Sequence, residues 1–357
     1  MPVSDPRPLR ILQLNLERGW RGGERQTVLT MHQLLLAGHE VELLARKGGE
    51  LARRAAELGF VVHEVEGGAG VCRFLLARRR QFDVMHAQTA NMMTWLAMLR
   101  PWLKARIVFT RRTAFPLRKH ESRNGWKWRQ ADVLVAISEA AAAEPRRLGF
   151  AVTVIPSAVE ARPLNDAHLR AFARKHQLEG RRVLATAAAL TIEKDPLTLI
   201  RAVHALSRRR QDFIFLHLGV GGSQEAAAHA CVRELGLESV YCFAGFHDGI
   251  EDLYRLMDVF VLSSRQEALG SSVLDAFLYG VPVVATNAGG LADLLGDGRG
   301  LTSEVGDAEG LAANMMRMLD DPALRATLTE RAARYVAREH DPAIMARRYL
   351  ELYETAR

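Results

Sequence analysis

Short apolar runs alternate with helical patterns along the first half of the chain. An apolar run at 9–14 is followed by a glycine loop at Gly22 and Gly23, a helical stretch at 27–37 and a second apolar run at 41–44. This order predicts a βαβ unit. Further apolar runs occur at 61–62, 83–86, 107–109 and 133–137. We therefore expect a parallel sheet with helices on both faces.

A second series of the same kind begins after a proline-containing break near Pro163. Its apolar runs lie at 183–187, 213–218, 240–243, 259–262 and 281–285. The predicted fold class is therefore α/β, with two facing doubly wound, Rossmann-like domains and a deep cleft between them. From about Asp307 the tail is helical in pattern, and its aromatic residues Tyr349 and Tyr353 are predicted to be packing residues.

Length and composition agree with a folded two-domain protein. The chain has 357 residues, of which 48% are hydrophobic and 25% charged, and this excludes a disordered chain or a coiled coil. No apolar run approaches the ~20 residues of a membrane span, and the start of the chain lacks a signal-peptide core. Three scattered cysteines without zinc-ligand spacing predict a reducing cytoplasm and no structural metal.

The formal charge of +7 is unevenly distributed. Residues 1–160 hold 25 Lys and Arg against 15 Asp and Glu, so they carry +10 and the remainder carries −3. The basic window from Arg100 to Arg129 holds ten basic residues and one acid, and its aromatic residues include Trp102, Phe115, Trp126 and Trp128. This mixture suits an anionic membrane surface or glycolipid, and a solvated charged face is the alternative. No nucleic-acid-binding motif accompanies the charge, so a nucleic-acid partner is not expected.

The most informative stretch follows the apolar run at 259–262. Ser271 or Ser272 is expected to cap a helix that runs to about Tyr279, with Gly280 as its left-handed end. The free amides and the positive dipole end at the start of this helix suit a diphosphate.

Two acids flank this expected anion site. Glu267 lies in the preceding loop, and Asp275 lies one turn inside the helix. Carboxylates at these positions suit the hydroxyl groups of a nucleotide sugar, which donate hydrogen bonds. The alternative is that Glu267 is a loop charge and Asp275 a partner of the helix dipole.

This stretch resembles the signature of the retaining GT-B glycosyltransferases of family four. The matching residues are Glu267, Asp275-Ala276-Phe277, Gly280-Val281-Pro282-Val283-Val284-Ala285-Thr286 and Gly289-Gly290. Further matches occur through nearly the whole chain, including Gly22-Gly23-Glu24, Asp83-Val84-Met85-His86, Ala136-Ile137-Ser138-Glu139, Glu193-Lys194-Asp195 and Ala244-Gly245-Phe246. The resemblance implies the GT-B fold and the use of a nucleotide diphosphate sugar as donor.

The resemblance also implies roles for the matching positions. Glu267 would bind hydroxyls of the donor sugar, Asp275 the ribose and Lys194 the diphosphate. The complete set of implied donor-binding positions is Gly270, Ser271, Ser272, Val273, Asp275, Gly22, Gly23, Gly245 and Phe246. No cofactor and no metal is implied, because cations and the helix terminus can replace a divalent ion.

The chain departs from the family pattern at two positions. Ala189 stands where the family usually has an arginine, and Arg112 stands where many relatives have a histidine near the anomeric centre. Arginine stays protonated, so Arg112 would stabilise the departing phosphate rather than act as a base. His86 and Arg111 are candidates for acceptor contacts. The alternatives are a satisfied structural histidine for His86 and a solvated basic strand end for Arg111 and Arg112.

The resemblance therefore implies a retaining glycosyltransferase with Glu267, Lys194 and Arg112 as catalytic residues. Residues 1–160 would present a glycan or glycolipid acceptor, 161–340 would bind the nucleotide sugar, and 341–357 would return to the first domain. Family likeness and the basic first domain favour lipopolysaccharide or other cell-envelope glycan synthesis in the cytoplasm, at the inner face of the membrane. A nucleotide-sugar epimerase or hydrolase of the same fold and a catalytically silent sugar-nucleotide-binding subunit are the alternatives.

Overall fold

The structure is a computed structural model that describes residues 7–117 and 119–355. Contacts between residues divide the chain into two compact units. Unit 1 consists of Met1–Ala158 and Glu339–Arg357, and unit 2 consists of Val159–Arg338. The last helix of the chain therefore belongs to the same unit as the first strand.

Unit 1 contains a seven-stranded parallel sheet. Its strands are β1 (Arg10–Asn15), β2 (Glu40–Arg46), β3 (Val61–Val65), β4 (Val84–Ala87), β5 (Arg106–Arg111), β6 (Val133–Ala136) and β7 (Thr153–Val154). They lie in the order β3-β2-β1-β4-β5-β6-β7. The central strands β1, β4 and β5 are buried along almost their whole length, as expected for strands covered on both faces.

Helices cover the unit 1 sheet and include the last helix of the chain. They are α1 (Gly22–Leu36), α2 (Glu50–Glu57), α3 (Gly67–Ala77), α4 (Ala90–Leu99), α5 (Glu121–Trp128), α6 (Glu139–Arg147) and α14 (Pro342–Glu354), with a 3-10 turn at Arg100–Trp102. Helix α14 packs on α1, and its Met345, Tyr349 and Tyr353 lie in the core. The prediction that the two tyrosines are packing residues is confirmed.

Unit 2 contains a six-stranded parallel sheet. Its strands are β8 (Arg182–Ala187), β9 (Phe213–Leu218), β10 (Tyr241–Gly245), β11 (Val259–Leu262), β12 (Val283–Thr286) and β13 (Leu301–Ser303), in the order β10-β9-β8-β11-β12-β13. Its helices are α7 (Asp166–Lys175), α8 (Pro196–Ser207), α9 (Glu225–Glu234), α10 (Ser271–Leu278), α11 (Gly290–Leu295), α12 (Ala308–Asp320) and α13 (Pro322–Glu339), with 3-10 turns at Ile192–Lys194 and Ile250–Leu256. Two doubly wound, Rossmann-like sheets are thus present, and the predicted α/β class is confirmed.

Two helix starts differ from the sequence predictions. Helix α1 begins at Gly22 rather than at residue 27, because the Glu24 carboxylate accepts the Arg21 amide at 2.8 Å and stabilises the first turn. Gly22 and Gly23 therefore lie in a helix and not in a loop.

The start of α10 also differs, because its N-cap is Gly270 and no side chain caps it. Ser271 and Ser272 are the first two residues of the helix instead of its cap. The predicted end of this helix is confirmed, since Gly280 follows it with a left-handed φ of 72°. Among the helices in the described ranges, none combines the length and the apolar character that crossing a membrane requires.

Candidate functional site

The loops that follow β8 and β11 carry Lys194 and Glu267. Strand order in unit 2 reverses between these two strands, and open α/β sheets bind ligands at such a point, outside the carboxyl ends of the strands. Lys194 Nζ donates to Glu267 Oε2 in a close ion pair, and Ser264 Oγ donates to the same oxygen at 3.3 Å. The Lys194 side chain is 29% exposed and that of Glu267 is 14% exposed. Two of the three predicted catalytic residues are thus in contact.

Hydrogen bonds between these two loops fix the position of the ion pair. Ser263 Oγ lies 2.9 Å from the carbonyl oxygens of both Lys194 and Asp195 and donates to them. In the other direction, the Arg265 amide donates to the Glu193 carbonyl at 2.7 Å. Asp195 has a left-handed φ of 47° and caps α8 with its side chain. The loop that carries Lys194 is therefore held by protein contacts on both sides.

Glycines allow the starts of α10 and α11 to approach the Glu267 loop closely. Gly270 has a φ of 95°, and a Cβ added there would lie 2.6 Å from Leu291 Cδ2. A Cβ on Gly289 would lie 2.3 Å from the Glu267 carbonyl oxygen, and the Gly290 amide donates to that oxygen at 2.9 Å. Because a side chain at these glycines would displace the loop, the Gly289-Gly290 pair serves close backbone packing.

The first turn of α10 leaves two amides for a ligand. The amides of Val273 and Leu274 both donate to the Gly270 carbonyl, at 3.0 and 3.1 Å. In the part of the chain that the structure describes, no protein group accepts from the amides of Ser271 and Ser272. Val273 was predicted to bind the diphosphate, but its amide already donates to the Gly270 carbonyl. The positive end of the helix dipole reinforces the two remaining donors.

The other predicted donor-binding residues of unit 2 are Asp275, Gly245 and Phe246. Asp275 is in the second turn of α10 and only 7% exposed. Gly245 ends β10, two strands away from β8, which corresponds to about 10 Å at the usual strand spacing. Its carbonyl accepts from the Gly219 amide at 2.8 Å, and the next residue, Phe246, is 63% exposed. Gly245 and Phe246 thus lie at the same carboxyl edge of the sheet as Lys194.

Arg265 is a cation at this edge that the sequence analysis missed. Its Nε donates to Asp195 Oδ2 at 2.8 Å, and its side chain is 53% exposed. The available signal was its position directly after the serine pair that follows β11. Since Ala189 replaces the arginine of the family pattern, Arg265 offers a second positive charge on the neighbouring loop. Within residues 7–117 and 119–355, no cluster of three or more His, Cys, Asp or Glu residues could hold a metal ion.

In unit 1, Arg112 follows β5 and lies against the first turn of α1. Its Nη2 donates to Gln88 Oε1 at 2.5 Å, its Nη1 donates to Ser157 Oγ at 3.3 Å, and its Nε is buried without a partner. A Cβ added to Gly23 would lie 3.7 Å from Arg112 Cδ. Burial lowers the pKa of the Arg112 guanidinium, which nevertheless stays charged. The alternative of a solvated strand end is wrong for Arg112, which is a shielded cation with uncharged partners.

His86 is completely buried in β4. Its Nδ1 lies 2.7 Å from the Tyr353 hydroxyl and its Nε2 lies 2.7 Å from Thr110 Oγ1. Burial, and then the charge of Arg112, lower the pKa of His86 to about 3, so the ring is neutral. Both ring nitrogens of His86 have hydrogen-bond partners within unit 1. This arrangement favours the alternative of a satisfied structural histidine over a contact with the acceptor.

Two basic residues of the basic window, Arg111 and Lys127, are buried rather than solvated, together with Trp128. Arg111 is 4% exposed, and its guanidinium donates to the carbonyls of Thr113 and Phe115 at 2.8 and 2.7 Å. It also stacks over Trp128, which is 4% exposed, and Lys127 beside it is 8% exposed. Arg111 is therefore neither a solvated strand end nor open to an acceptor.

Three aromatic residues of the basic window, Trp102, Phe115 and Trp126, are exposed, but they do not share one end of β5. Trp102 and Trp126 are 56% and 41% exposed, and Phe115 is 45% exposed. Trp102 precedes the amino end of β5, whereas Phe115 follows its carboxyl end. Arg118 lies outside the described residues.

Comparisons with known proteins agree with this architecture. The family model described as Glycosyl transferases group 1 matches residues 170–335, and the one described as Glycosyltransferase Family 4 matches residues 20–162. The 2-deoxystreptamine glucosyltransferase of Streptomyces kanamyceticus is 34% identical over 210 residues, which cover 56% of this chain and 54% of that relative. The chain thus spans about half of that relative's length.

Two further similarities extend over nearly the whole chain. The lipopolysaccharide core biosynthesis glycosyltransferase LpsD of Rhizobium meliloti (strain 1021) is 26% identical over 346 residues, which cover 96% of this chain and 97% of LpsD. The crystal structure of Anabaena HepE in complex with UDP-glucose has a TM-score of 0.85 at 18% identity and covers 97% of this chain and 100% of that one. From the two family matches and this shared fold we conclude that the chain belongs to the family 4 glycosyltransferases of GT-B fold.

Proposed function

We propose that this protein is a retaining glycosyltransferase that moves a sugar from a nucleoside diphosphate sugar to a hydroxyl group of an acceptor. The observation that supports this most strongly is the grouping of Lys194, Glu267 and the unbonded amides of Ser271 and Ser272 at one edge of the unit 2 sheet. These groups supply a cation, an acceptor for hydroxyl hydrogen bonds and two oriented donors. A diphosphate joined to a sugar presents the complementary groups.

In the proposed reaction, negative charge develops on the diphosphate as its bond to the sugar breaks. Lys194 and the amides of Ser271 and Ser272 stabilise that charge, because they are oriented before the reaction begins. Arg112 of unit 1 adds a cation for the leaving phosphate. Since neither cation can act as a base, the departing phosphate accepts the proton of the acceptor hydroxyl, and transfer within one face retains the configuration of the sugar.

Donor contacts away from the phosphates complete the proposal. Glu267 accepts hydrogen bonds from hydroxyls of the sugar, and Asp275 accepts those of the ribose. Because Lys194 pairs with Glu267, binding of the diphosphate would draw the ammonium away and leave the carboxylate to the hydroxyls. Donor binding therefore exchanges one ion pair for contacts to both ends of the ligand.

The relatives suggest which substrates to test first. HepE is described in complex with UDP-glucose, and LpsD is named for lipopolysaccharide core biosynthesis. We therefore propose a UDP-sugar as donor, a glycan or glycolipid as acceptor, and lipopolysaccharide or other cell-envelope glycan synthesis as the process. No nucleic acid takes part.

Peripheral contact with an anionic membrane at its cytoplasmic face is part of this proposal. Trp102 and Trp126 are exposed in unit 1, together with the basic residues Lys104, Arg123 and Arg129. Each Lys or Arg near an anionic surface contributes about 1 kcal/mol of attraction. Vesicle sedimentation with and without phosphatidylglycerol tests this contact, and equal recovery on both kinds of vesicle would remove it.

Product analysis tests the proposed activity. The protein is incubated with nucleotide sugars, UDP-glucose first, with and without truncated lipopolysaccharide, and the linkage of the product is determined by NMR. We expect a glycoside with the anomeric configuration of the donor, formed only with the acceptor present. Release of free sugar or an epimer without acceptor would indicate the hydrolase or epimerase alternative. Tight nucleotide binding without turnover would indicate the silent subunit.

Variants tie the activity to the site. Lys194→Ala and Glu267→Ala should each lower kcat by about 10²–10³-fold, the usual effect of removing one group that stabilises developing charge. Lys175→Ala, at an exposed position of α7 in the same unit, is the matched control. Unchanged transfer in both site variants, with the fold intact, would refute the assignment.

A further inference from the structure

A cavity of about 840 Å³ lies at the amino-terminal edge of the unit 2 sheet. Small-molecule sites usually occupy roughly 300–1,000 Å³, so its size suits a ligand larger than a bare ion. Helix α7 and the residues at the amino ends of β8 and β11 line it. The length of β8 separates this edge from the carboxyl edge by about 17 Å at the usual rise per residue. The cavity is thus distinct from the proposed donor site.

Apolar side chains form part of the cavity wall. They come from α7, from the segment before β8, from β8 and from the 3-10 turn Ile250–Leu256, and they are Leu169, Ala173, Leu178, Val183 and Leu256. Transfer of a hydrocarbon chain or a flat ring from water onto such a surface is favourable. The cavity therefore offers binding energy to an apolar group, which an inorganic anion does not have.

The charged residues around this wall are mainly arginines. Four arginines line the cavity, against the two acids Glu179 and Asp258, so the lining carries a net charge of +2. Asp258 is already engaged, since its two oxygens accept from the Val183 amide at 2.8 Å and from Arg182 Nη1 at 3.0 Å. One of the four, Arg255, pairs with Asp166 at 3.2 Å.

The other three arginines, Arg170, Arg174 and Arg181, have no carboxylate partner among the residues that the structure describes. Arg170 and Arg174 are one helical turn apart on α7, so both lie on the same helix face. Arg181 Nη2 donates to the carbonyls of Phe213 and Ser239 at 2.6 and 3.2 Å, which orients its guanidinium. Guanidinium groups match the geometry of phosphate oxygens, and here they are not neutralised by acids.

We propose that this cavity binds an anionic amphiphile, in which a phosphate group is attached to an apolar chain or ring. The apolar wall takes the hydrocarbon part, while Arg170, Arg174 and Arg181 take the phosphate. A phosphate monoester carries nearly two negative charges at neutral pH, which match the net charge of the lining. The phosphate can belong to a soluble metabolite or to a lipid head group, since both present the same chemistry. This inference does not depend on the proposed transferase activity.

Calorimetric titration with octyl phosphate below its micellar concentration tests the proposal. Saturating UDP is included to occupy the proposed donor site. We expect one octyl phosphate per chain, and at least tenfold weaker binding of octyl glucoside, which has the same chain without the charge. Absence of saturable binding, or equal binding of the two ligands, would overturn the proposal.

A pair of variants tests the arginines. Arg170→Glu/Arg174→Glu should weaken octyl phosphate binding at least tenfold. Arg201→Glu/Arg209→Glu makes the same change of charge at exposed positions elsewhere in unit 2 and should leave binding unchanged. An equal effect of both double variants would contradict the site.

The source of the phosphate is distinguished by sedimentation with phosphatidic acid vesicles. Selective loss of vesicle binding in Arg170→Glu/Arg174→Glu, relative to Arg201→Glu/Arg209→Glu, would assign the site to a lipid head group. Equal vesicle binding by the two, together with selective loss of octyl phosphate binding, would assign it to a soluble phosphate.

Discussion

Replacing Gly270 by alanine should destabilise unit 2 and weaken nucleotide binding at the same time. Gly270 has a φ of 95°, a region that costs an L-amino acid about 1–2 kcal/mol. Its new Cβ would lie 2.6 Å from Leu291 Cδ2 and 3.3 Å from Leu294 Cδ1, and such overpacking usually costs about 1–3 kcal/mol. We therefore expect the free energy of unfolding to fall by about 2–5 kcal/mol.

The same displacement moves the first turn of α10, in which the amides of Ser271 and Ser272 point toward the proposed diphosphate. We expect the affinity for UDP to fall at least tenfold. Gly306→Ala is the control, because Gly306 has a φ of 83° and no atom within 4 Å of the added Cβ. It should cost only the conformational part, about 1–2 kcal/mol, and leave UDP binding unchanged.

Urea unfolding and calorimetric titration with UDP measure the two effects in both variants. Equal losses of stability in Gly270→Ala and Gly306→Ala would show that the contact of the added Cβ with Leu291 does not destabilise the protein. Unchanged UDP affinity in folded Gly270→Ala would show that the start of α10 does not contact the ligand.

Other side chains lead to predictions of their own. The pKa of His86 is about 3 in the folded protein against 6.5 when free, so the unfolded state binds the additional proton as the pH decreases from 6.5 toward 3. This group then lowers the free energy of unfolding by up to about 1.4 kcal/mol per pH unit. His86→Gln should lack this contribution when unfolding is measured at pH 7 and 4.5. An equal loss of stability between these pH values in His86→Gln and the unaltered protein would contradict the prediction. Arg112→Leu should lower transfer while leaving stability unchanged or higher, because it removes a shielded charge whose hydrogen-bond partners, Gln88 and Ser157, are uncharged, and a large loss in urea unfolding would contradict this. Arg265→Ala should weaken UDP binding about threefold to tenfold in calorimetry, as expected for a loss of roughly 1 kcal/mol at an exposed cation, whereas equal losses in Arg265→Ala and Arg233→Ala would argue against a local effect.

Much of the fold could be predicted because its central strands are buried on both faces. Strands β9 and β11 coincide with the apolar runs at 213–218 and 259–262. Strand β13 was missed, since its sequence Leu301-Thr302-Ser303 contains no apolar run. Local hydrophobic pattern therefore suffices for central strands and fails for a short edge strand.

The contact between Lys194 and Glu267 could not be derived from spacing. The two residues are 73 positions apart and meet only because β8 and β11 are neighbours in the sheet. It was the resemblance to a family that assigned both residues to one site. Arg265 was missed because its position stands outside the residues that carried this resemblance.

Tertiary contacts also explain the predictions that were wrong. Serine is a common helix cap, but the backbone at Gly270 is packed against Leu291, so the glycine takes the cap position of α10. Arg111 is a charged residue at a strand end and would usually be solvated. Here two backbone carbonyls and Trp128 contact its guanidinium, and no sequence pattern predicts such partners.

We propose that the amides of Ser271 and Ser272, together with the ammonium of Lys194, hold the diphosphate of the donor. An NMR titration of ¹⁵N-labelled protein with UDP observes these two amides themselves. We predict that the amide resonances of Ser271 and Ser272 shift and saturate with the affinity measured by calorimetry, and that Lys194→Ala weakens this response. Saturable binding of UDP that leaves both amide resonances unchanged would show that the start of α10 does not hold the diphosphate.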